Sequence, residues 1–131
     1  MADSINDRTT LLISGASSGI GHAVCKRLAS SETQVFTVDI ECAPPDVEVA
    51  NHYQADLSVP AEVEKLTRTI RNDIDISSIS SLINVAGIPG TKPAEQVFQV
   101  NLLTVRFLSR LLAAHMRPGG TIVNVGSISG N

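Results

Sequence analysis

Short apolar runs alternate with stretches of helical periodicity along this chain. Thr9-Thr10-Leu11-Leu12-Ile13 is a compact run ending at Ser14-Gly15, and it reads as a buried strand. Ile20, Ala23, Val24 and Leu28 follow at helical spacing. Gln34 to Asp39 is β-branched and aromatic, which predicts a second strand. Glu41 to Glu48 contains Pro44-Pro45 and reads as a loop, with a weaker third strand near Val49 to Gln54. Ser58 is placed to cap a helix beginning around Pro60, a residue tolerated in a first turn. Val59, Val63, Leu66 and Ile70 then share one face. Ser81 to Val85 predicts a fourth strand closed by Ala86-Gly87, and Pro89-Gly90 and Pro93 mark a loop. A long helix is expected from Ala94 to about Met116. Phe98, Leu102, Leu103, Phe107 and Leu108 spread apolar character around most of its circumference, so it should be buried on more than one side. Pro118-Gly119-Gly120 stops it, and Thr121 to Val125 reads as a fifth strand.

Strands alternating with helices at these spacings imply right-handed βαβ units. The fold class is therefore α/β, a doubly wound parallel sheet with helices on both faces. The expected strand order is 3-2-1-4-5, with ligands at the carboxyl edge where the order reverses. No repeat, low-complexity tract or linker interrupts residues 1–131, which read as one domain. Hydrophobic residues at 43% against 18% charged give a globular balance rather than a disordered one. Ten Lys and Arg against thirteen Asp and Glu leave a formal charge of -3, with no basic footprint for nucleic acid. Aromatic residues are 3%, too few for base-stacking platforms. No apolar stretch is long enough to cross a membrane, and Met1 to Arg8 shows no signal peptide. Two cysteines, Cys25 and Cys42, make no disulfide framework, so a reduced, cytoplasmic setting is expected.

Chemistry concentrates first in Ser14-Gly15-Ala16-Ser17-Ser18-Gly19-Ile20-Gly21, which follows a strand and opens a helix. Gly15 permits a tight turn, Gly19 a close approach of backbone to a pyrophosphate, and Gly21 close packing of helix on strand. The N–H groups of the first helical turn would face the anion. A plain small-residue turn is the alternative. Asp39 ends the second strand, where a carboxylate accepts bonds from adenosine ribose hydroxyls. It would also repel the 2′-phosphate of NADP. A solvated loop aspartate is the competing reading. His22, His52 and His115 are scattered without metal-like spacing, Cys25 reads as a small core residue, and Asp73 and Asp75 as solvent-facing. No metal site is expected.

These motifs together resemble the short-chain dehydrogenase/reductase family over nearly the whole chain. Ser14 to Gly21 is similar to the family's TGxxxGxG, with Ser14 in place of Thr. Asp56-Leu57 resembles the acidic pair beside the adenine ring. Asn84-Val85-Ala86-Gly87 resembles NNAG, with Val85 in place of the second Asn. The short connection from Gly87 to Asn101 is similar to that of bacterial 3α-hydroxysteroid dehydrogenase/carbonyl reductase members. The resemblance implies a Rossmann-type fold and a cofactor, NAD(H), held by Gly15, Ser17, Ser18, Gly19, Ile20, Gly21, Asp39, Ile40, Asp56, Leu57, Asn84, Ala86 and Gly87. It implies Asn101 and Ser127 as catalytic residues, a small alcohol or ketone substrate, and a homodimer or homotetramer when intact.

The family's chemistry also needs a Tyr that handles the substrate proton and a Lys four residues later. A free phenol titrates near 10, so a nearby cation must favour the phenolate. This chain has one tyrosine, Tyr53, and position 57 is Leu. Tyr53 belongs to the third strand, so it is not that residue. The sequence therefore reads as the N-terminal half of a longer NAD-dependent alcohol dehydrogenase or carbonyl reductase. Two other readings stay open: a non-catalytic dinucleotide-binding module, and a structural half that needs a partner chain.

Overall fold

A computed structural model describes residues 8–126. One parallel sheet runs in the order β3-β2-β1-β4-β5, the order expected. Its strands are β1 (Thr9–Ser14), β2 (Thr33–Asp39), β3 (Asn51–Gln54), β4 (Ser81–Asn84) and β5 (Thr121–Asn124). The helices are α1 (Gly19–Leu28), α2 (Pro60–Asp73), α3 (Ala94–Phe98) and α4 (Thr104–Ala113). β1 holds the centre because it is apolar on both faces. Leu12 packs to one side with Val38, Leu82, Val63, Ile70 and Leu108. Leu11 and Ile13 pack to the other with Val35, Ile83 and Cys25. Each such fully buried aliphatic side chain contributes about 1.5–3 kcal/mol. Among the described residues no helix is long and apolar enough to cross a membrane.

Three elements differ from their sequence-based expectation. In α1 the packed face is Gly21 and Cys25, while Ile20 is 60% exposed and Leu28 is also exposed. Small residues win that face because they let the helix approach the strand closely, so the larger apolar side chains turn outward. Burial pushes the Cys25 thiol up to about 11, which disfavours its thiolate.

Ser58 does not cap α2; the residue in the cap position is Val59. Pro60 forces extended backbone on the residue before it, and that shifts the boundary. The Ser58 hydroxyl instead donates to Asp56 Oδ1 at 2.6 Å. Val63, Leu66 and Ile70 are buried as expected.

The long helix is three segments. Between α3 and α4, Gln99–Leu103 winds as a π turn, in which the Thr104 N–H reaches back to the Gln99 carbonyl. Val100, Thr104, Leu108 and Leu112 face the sheet. Phe98, Leu102, Leu103 and Phe107 remain exposed, so within this chain the helix is buried on one side only. The sheet covers that inner face, while along the outer apolar stripe, among the described residues, only Phe107 adjoins another helix, beside Thr67 and Arg71 of α2. β5 pairs with β4 along one edge, and its four residues are exposed.

Candidate functional site

The carboxyl ends of β1, β2, β3 and β4 open into one cleft of about 590 Å³. Its base is the glycine turn after β1. Gly15 sits at φ 71° and Gly19 at φ 57°, left-handed conformations that glycine adopts without steric cost. A Cβ on Gly15 would lie 2.6 Å from the Ala86 nitrogen, so this turn meets the segment after β4 backbone to backbone. The Ser14 hydroxyl reinforces that seam by accepting from the Val85 and Ala86 N–H groups, each at 3.2 Å. Gly21, in α1, lies directly against the Gly15 carbonyl. Ser18 precedes α1 without a side-chain cap, so its first turn has no side chain satisfying its N–H groups there.

Asp39 ends β2 and is only 8% exposed. Its Oδ2 accepts from the Ser17 N–H at 3.0 Å and its Oδ1 from the Glu41 N–H at 2.9 Å. A carboxylate has further lone pairs, so both oxygens retain acceptor capacity. The Ser17 hydroxyl donates to the Cys42 carbonyl at 2.6 Å and ties the turn to the loop after β2. β3 steadies that loop as well: Gln54 donates to the Ile40 carbonyl, and His52 Nε2 lies 2.9 Å from the Glu41 carbonyl. Farther along, a hydrogen bond from His22 holds the Asp46 carboxyl below its ordinary value.

Behind the cleft, Asn84 is 3% exposed and donates to Asn124 Oδ1 at 2.8 Å, joining β4 to β5. Asn101 lies in the π turn. Its Oδ1 accepts from the Ile88 N–H at 2.8 Å, and its Nδ2 donates to the Ile88 carbonyl at 2.9 Å. Both halves of that amide therefore hold the loop after Gly87, and each retains one further hydrogen-bonding position. Ser127 lies outside the described residues. Tyr53 is buried, its hydroxyl donates to Asp73 at 3.3 Å, and desolvation raises its phenol above the ordinary value. It is not part of the cleft wall.

Of the residues expected from sequence, the wall gathers Gly15, Ser18, Ile20, Asp39, Ile40, Asp56, Leu57, Ala86 and Gly87. Ser17, Gly19, Gly21, Asn84 and Asn101 stand behind it and act through turn geometry or hydrogen bonds. The wall also contains Glu41, Ser58, Ile88, Lys92, Gln96 and Val100, which no motif announced. Ile88 and Val100 adjoin motif residues and could have been inferred by neighbourhood. Lys92 and Gln96 enter from the loop and helix after β4 and carry no such signal. A second depression, about 680 Å³, lies at the opposite edge beside Arg8, Thr33 and Glu48 and holds none of the motif residues. Among the described residues, no group of three or more His, Cys, Asp or Glu is arranged to hold a metal.

Residues 9–131 match the family model described as short chain dehydrogenase. The coniferyl-alcohol dehydrogenase of Pseudomonas sp. strain HR199 is 35% identical over 120 residues, covering 92% of this chain and 44% of that protein. The 3-alpha-hydroxysteroid dehydrogenase from Pseudomonas sp. B-0831, solved with NADH, aligns with a TM-score of 0.72 at 27% identity, covering 92% of this chain and 48% of that one. A 4-hydroxyisoleucine dehydrogenase, also complexed with NADH, aligns with a TM-score of 0.76 at 30% identity, covering 92% and 56%. The chain thus spans about half the length of the relatives it matches.

Proposed function

This chain belongs to the short-chain dehydrogenase family, and from that premise we propose that it is the dinucleotide-binding part of an oxidoreductase acting between NAD(H) and a secondary alcohol or ketone. The observation that carries the reading is the meeting of the glycine turn and Asp39 in one cleft. The fit rests on shape. Gly15 and Gly21 let backbone pack directly on backbone and so shape the turn, while at Gly19, where α1 starts, nothing lies within 4 Å of a Cβ position and the turn is open. A pyrophosphate would lie against the first-turn N–H groups. Asp39, with Ile40, Asp56 and Leu57, would hold the adenosine half. Asn84, Ala86 and Gly87 would back the centre of the cofactor. When bound, NAD(H) supplies the hydride acceptor or donor. Ser127 would hold the substrate oxygen. Asn101 would support a proton-relay water, and its side chain, which also bridges the Ile88 backbone, keeps one N–H and one lone pair for that. The proposed setting is cytoplasmic, with Cys25 and Cys42 free.

The cofactor assignment makes a direct prediction for the full-length protein. Asp39 would bind the ribose diol of NADH and repel the extra phosphate of NADPH. NADH should bind at least tenfold tighter, about 1.4 kcal/mol. Asp39→Ala should narrow that gap. Titration of both cofactors by fluorescence checks it, and equal affinity or tighter NADPH binding would sink the assignment.

Assembly follows from the outer stripe of α3 and α4. Phe98, Leu102 and Phe107 form an exposed apolar surface on the long helix. A second copy of the full-length protein would cover it, giving a homodimer or homotetramer. Sedimentation at micromolar concentration should show no dominant monomer, and a strictly monomeric species would refute the assignment.

A further inference from the structure

One π turn is fastened to two walls of the cleft. Asn101 holds Ile88, as described above, and Ile88 lines the wall that follows β4. Thr104, three residues later, is 2% exposed. Its hydroxyl lies 3.1 Å from the Leu57 carbonyl and 2.8 Å from the Gln99 carbonyl. Leu57 lines the wall that follows β3, and Val100 lines the cleft between the two. A hydroxyl has one proton, so it serves one of these carbonyls fully or shares itself between them. The Gln99 carbonyl already receives the Thr104 N–H. The Leu57 carbonyl has no backbone donor among the described bonds. Leu57 is 6% exposed, and a buried carbonyl left without a donor is costly. The hydroxyl proton is therefore worth more at Leu57.

The wider winding of a π turn also spreads side chains three residues apart further around the axis than an α turn does, so Asn101 and Thr104 serve different walls from one turn. We propose that Thr104 is a positioning residue that sets the spacing between the Leu57 wall and the Ile88 wall, and through it the affinity for the dinucleotide. This inference rests on the reading of the cleft as the dinucleotide site.

The test uses full-length protein with NADH as probe. Thr104→Val removes the hydroxyl and nearly keeps the shape; Thr104→Ser keeps the hydroxyl. Losing one neutral hydrogen bond should raise both the NADH Kd and the KM for NADH about five- to tenfold. The kcat at saturating NADH should stay within about twofold of wild type, because Thr104 does not touch the reacting atoms. Thr104→Ser should restore the wild-type KM. A purely structural role would lower stability without this split between KM and kcat. Wild-type Kd in a folded Thr104→Val would overturn the proposal. If that variant does not fold, Thr104→Cys, which keeps a weaker donor, decides: a raised Kd supports the proposal and an unchanged one overturns it. Wild-type protein that binds neither NADH nor NADPH would overturn the dinucleotide reading itself, and this inference with it.

Discussion

Gly21→Ala should sharply weaken dinucleotide binding, although alanine is the better helix former. The substitution removes a helix-propensity deficit of about 1 kcal/mol, which alone would stabilise α1. Opposing that, the new Cβ would collide with the Gly15 carbonyl and lie 2.6 Å from its carbon and 3.2 Å from Ala16 Cα. These are backbone atoms and cannot rotate away, so α1 must retreat from β1 or the glycine turn must distort. Overpacking of this kind costs about 1–3 kcal/mol. The strain falls on the turn that would face the pyrophosphate, so affinity should suffer more than stability. A loss of at least a hundredfold in NADH affinity is expected, about 2.7 kcal/mol. Gly19→Ala is the contrast: nothing lies within 4 Å of its Cβ, and only the left-handed φ of 57° opposes it, at about 1–2 kcal/mol. Thermal unfolding and NADH titration of both full-length variants check this. A Gly21→Ala protein with wild-type melting and wild-type Kd would refute the role given to the glycine turn.

Residues 1–131 assayed by themselves should show no dehydrogenase turnover above background. They contain no Tyr-x-x-x-Lys, and Tyr53 is engaged with Asp73 away from the cleft. A positioned proton-transfer group contributes about a hundred- to ten-thousand-fold to rate. The lysine that would favour its phenolate is missing as well, and imprecise placement at the reacting centre costs more. NADH absorbance with a panel of secondary alcohols and ketones, run beside the full-length protein, is the measurement. Robust turnover by these residues alone would mean that another group does the acid–base work, and the assignment of Asn101 and Ser127 would fall with it.

The strand order is legible in the sequence because short apolar runs such as Leu11-Leu12-Ile13 alternate with helical periodicity, which implies right-handed βαβ units and a sheet covered on both faces. Asp39 was legible because it closes such a run at the right distance from the glycines. Asn101 was legible as a motif residue, but its grip on Ile88 was not, since the two are joined only by the folded path of the loop between them. The packed face of α1 differs from the periodic expectation because periodicity weighs Ile20 and Leu28 by hydrophobicity, whereas close approach to β1 favours Gly21 and Cys25. Ser58 was a plausible cap by residue type, but Pro60 moved the boundary. The π turn left no trace in the pattern: an apolar helix with one extra residue reads the same until its hydrogen bonds are drawn. Thr104 was hidden for the same reason, and Lys92 because loop residues obey no period.

The central place of β1 also bears on how the chain assembles in time. β1 precedes the other described strands in the chain, and β2 joins it in the register Thr9 to Thr33, across a short βαβ crossover. β4 joins its other side in the register Leu11 to Ser81, a far longer span. Closing the longer loop costs about 1 kcal/mol more in chain entropy. The β1-α1-β2 unit, with the glycine turn and Asp39, should therefore form while later segments are still being synthesised. The Ala86 seam against Gly15 can close only after β4 docks. The two sides of the cleft are thus separated in folding order, and the site is completed late, when the second half of the sheet arrives on a preformed first half.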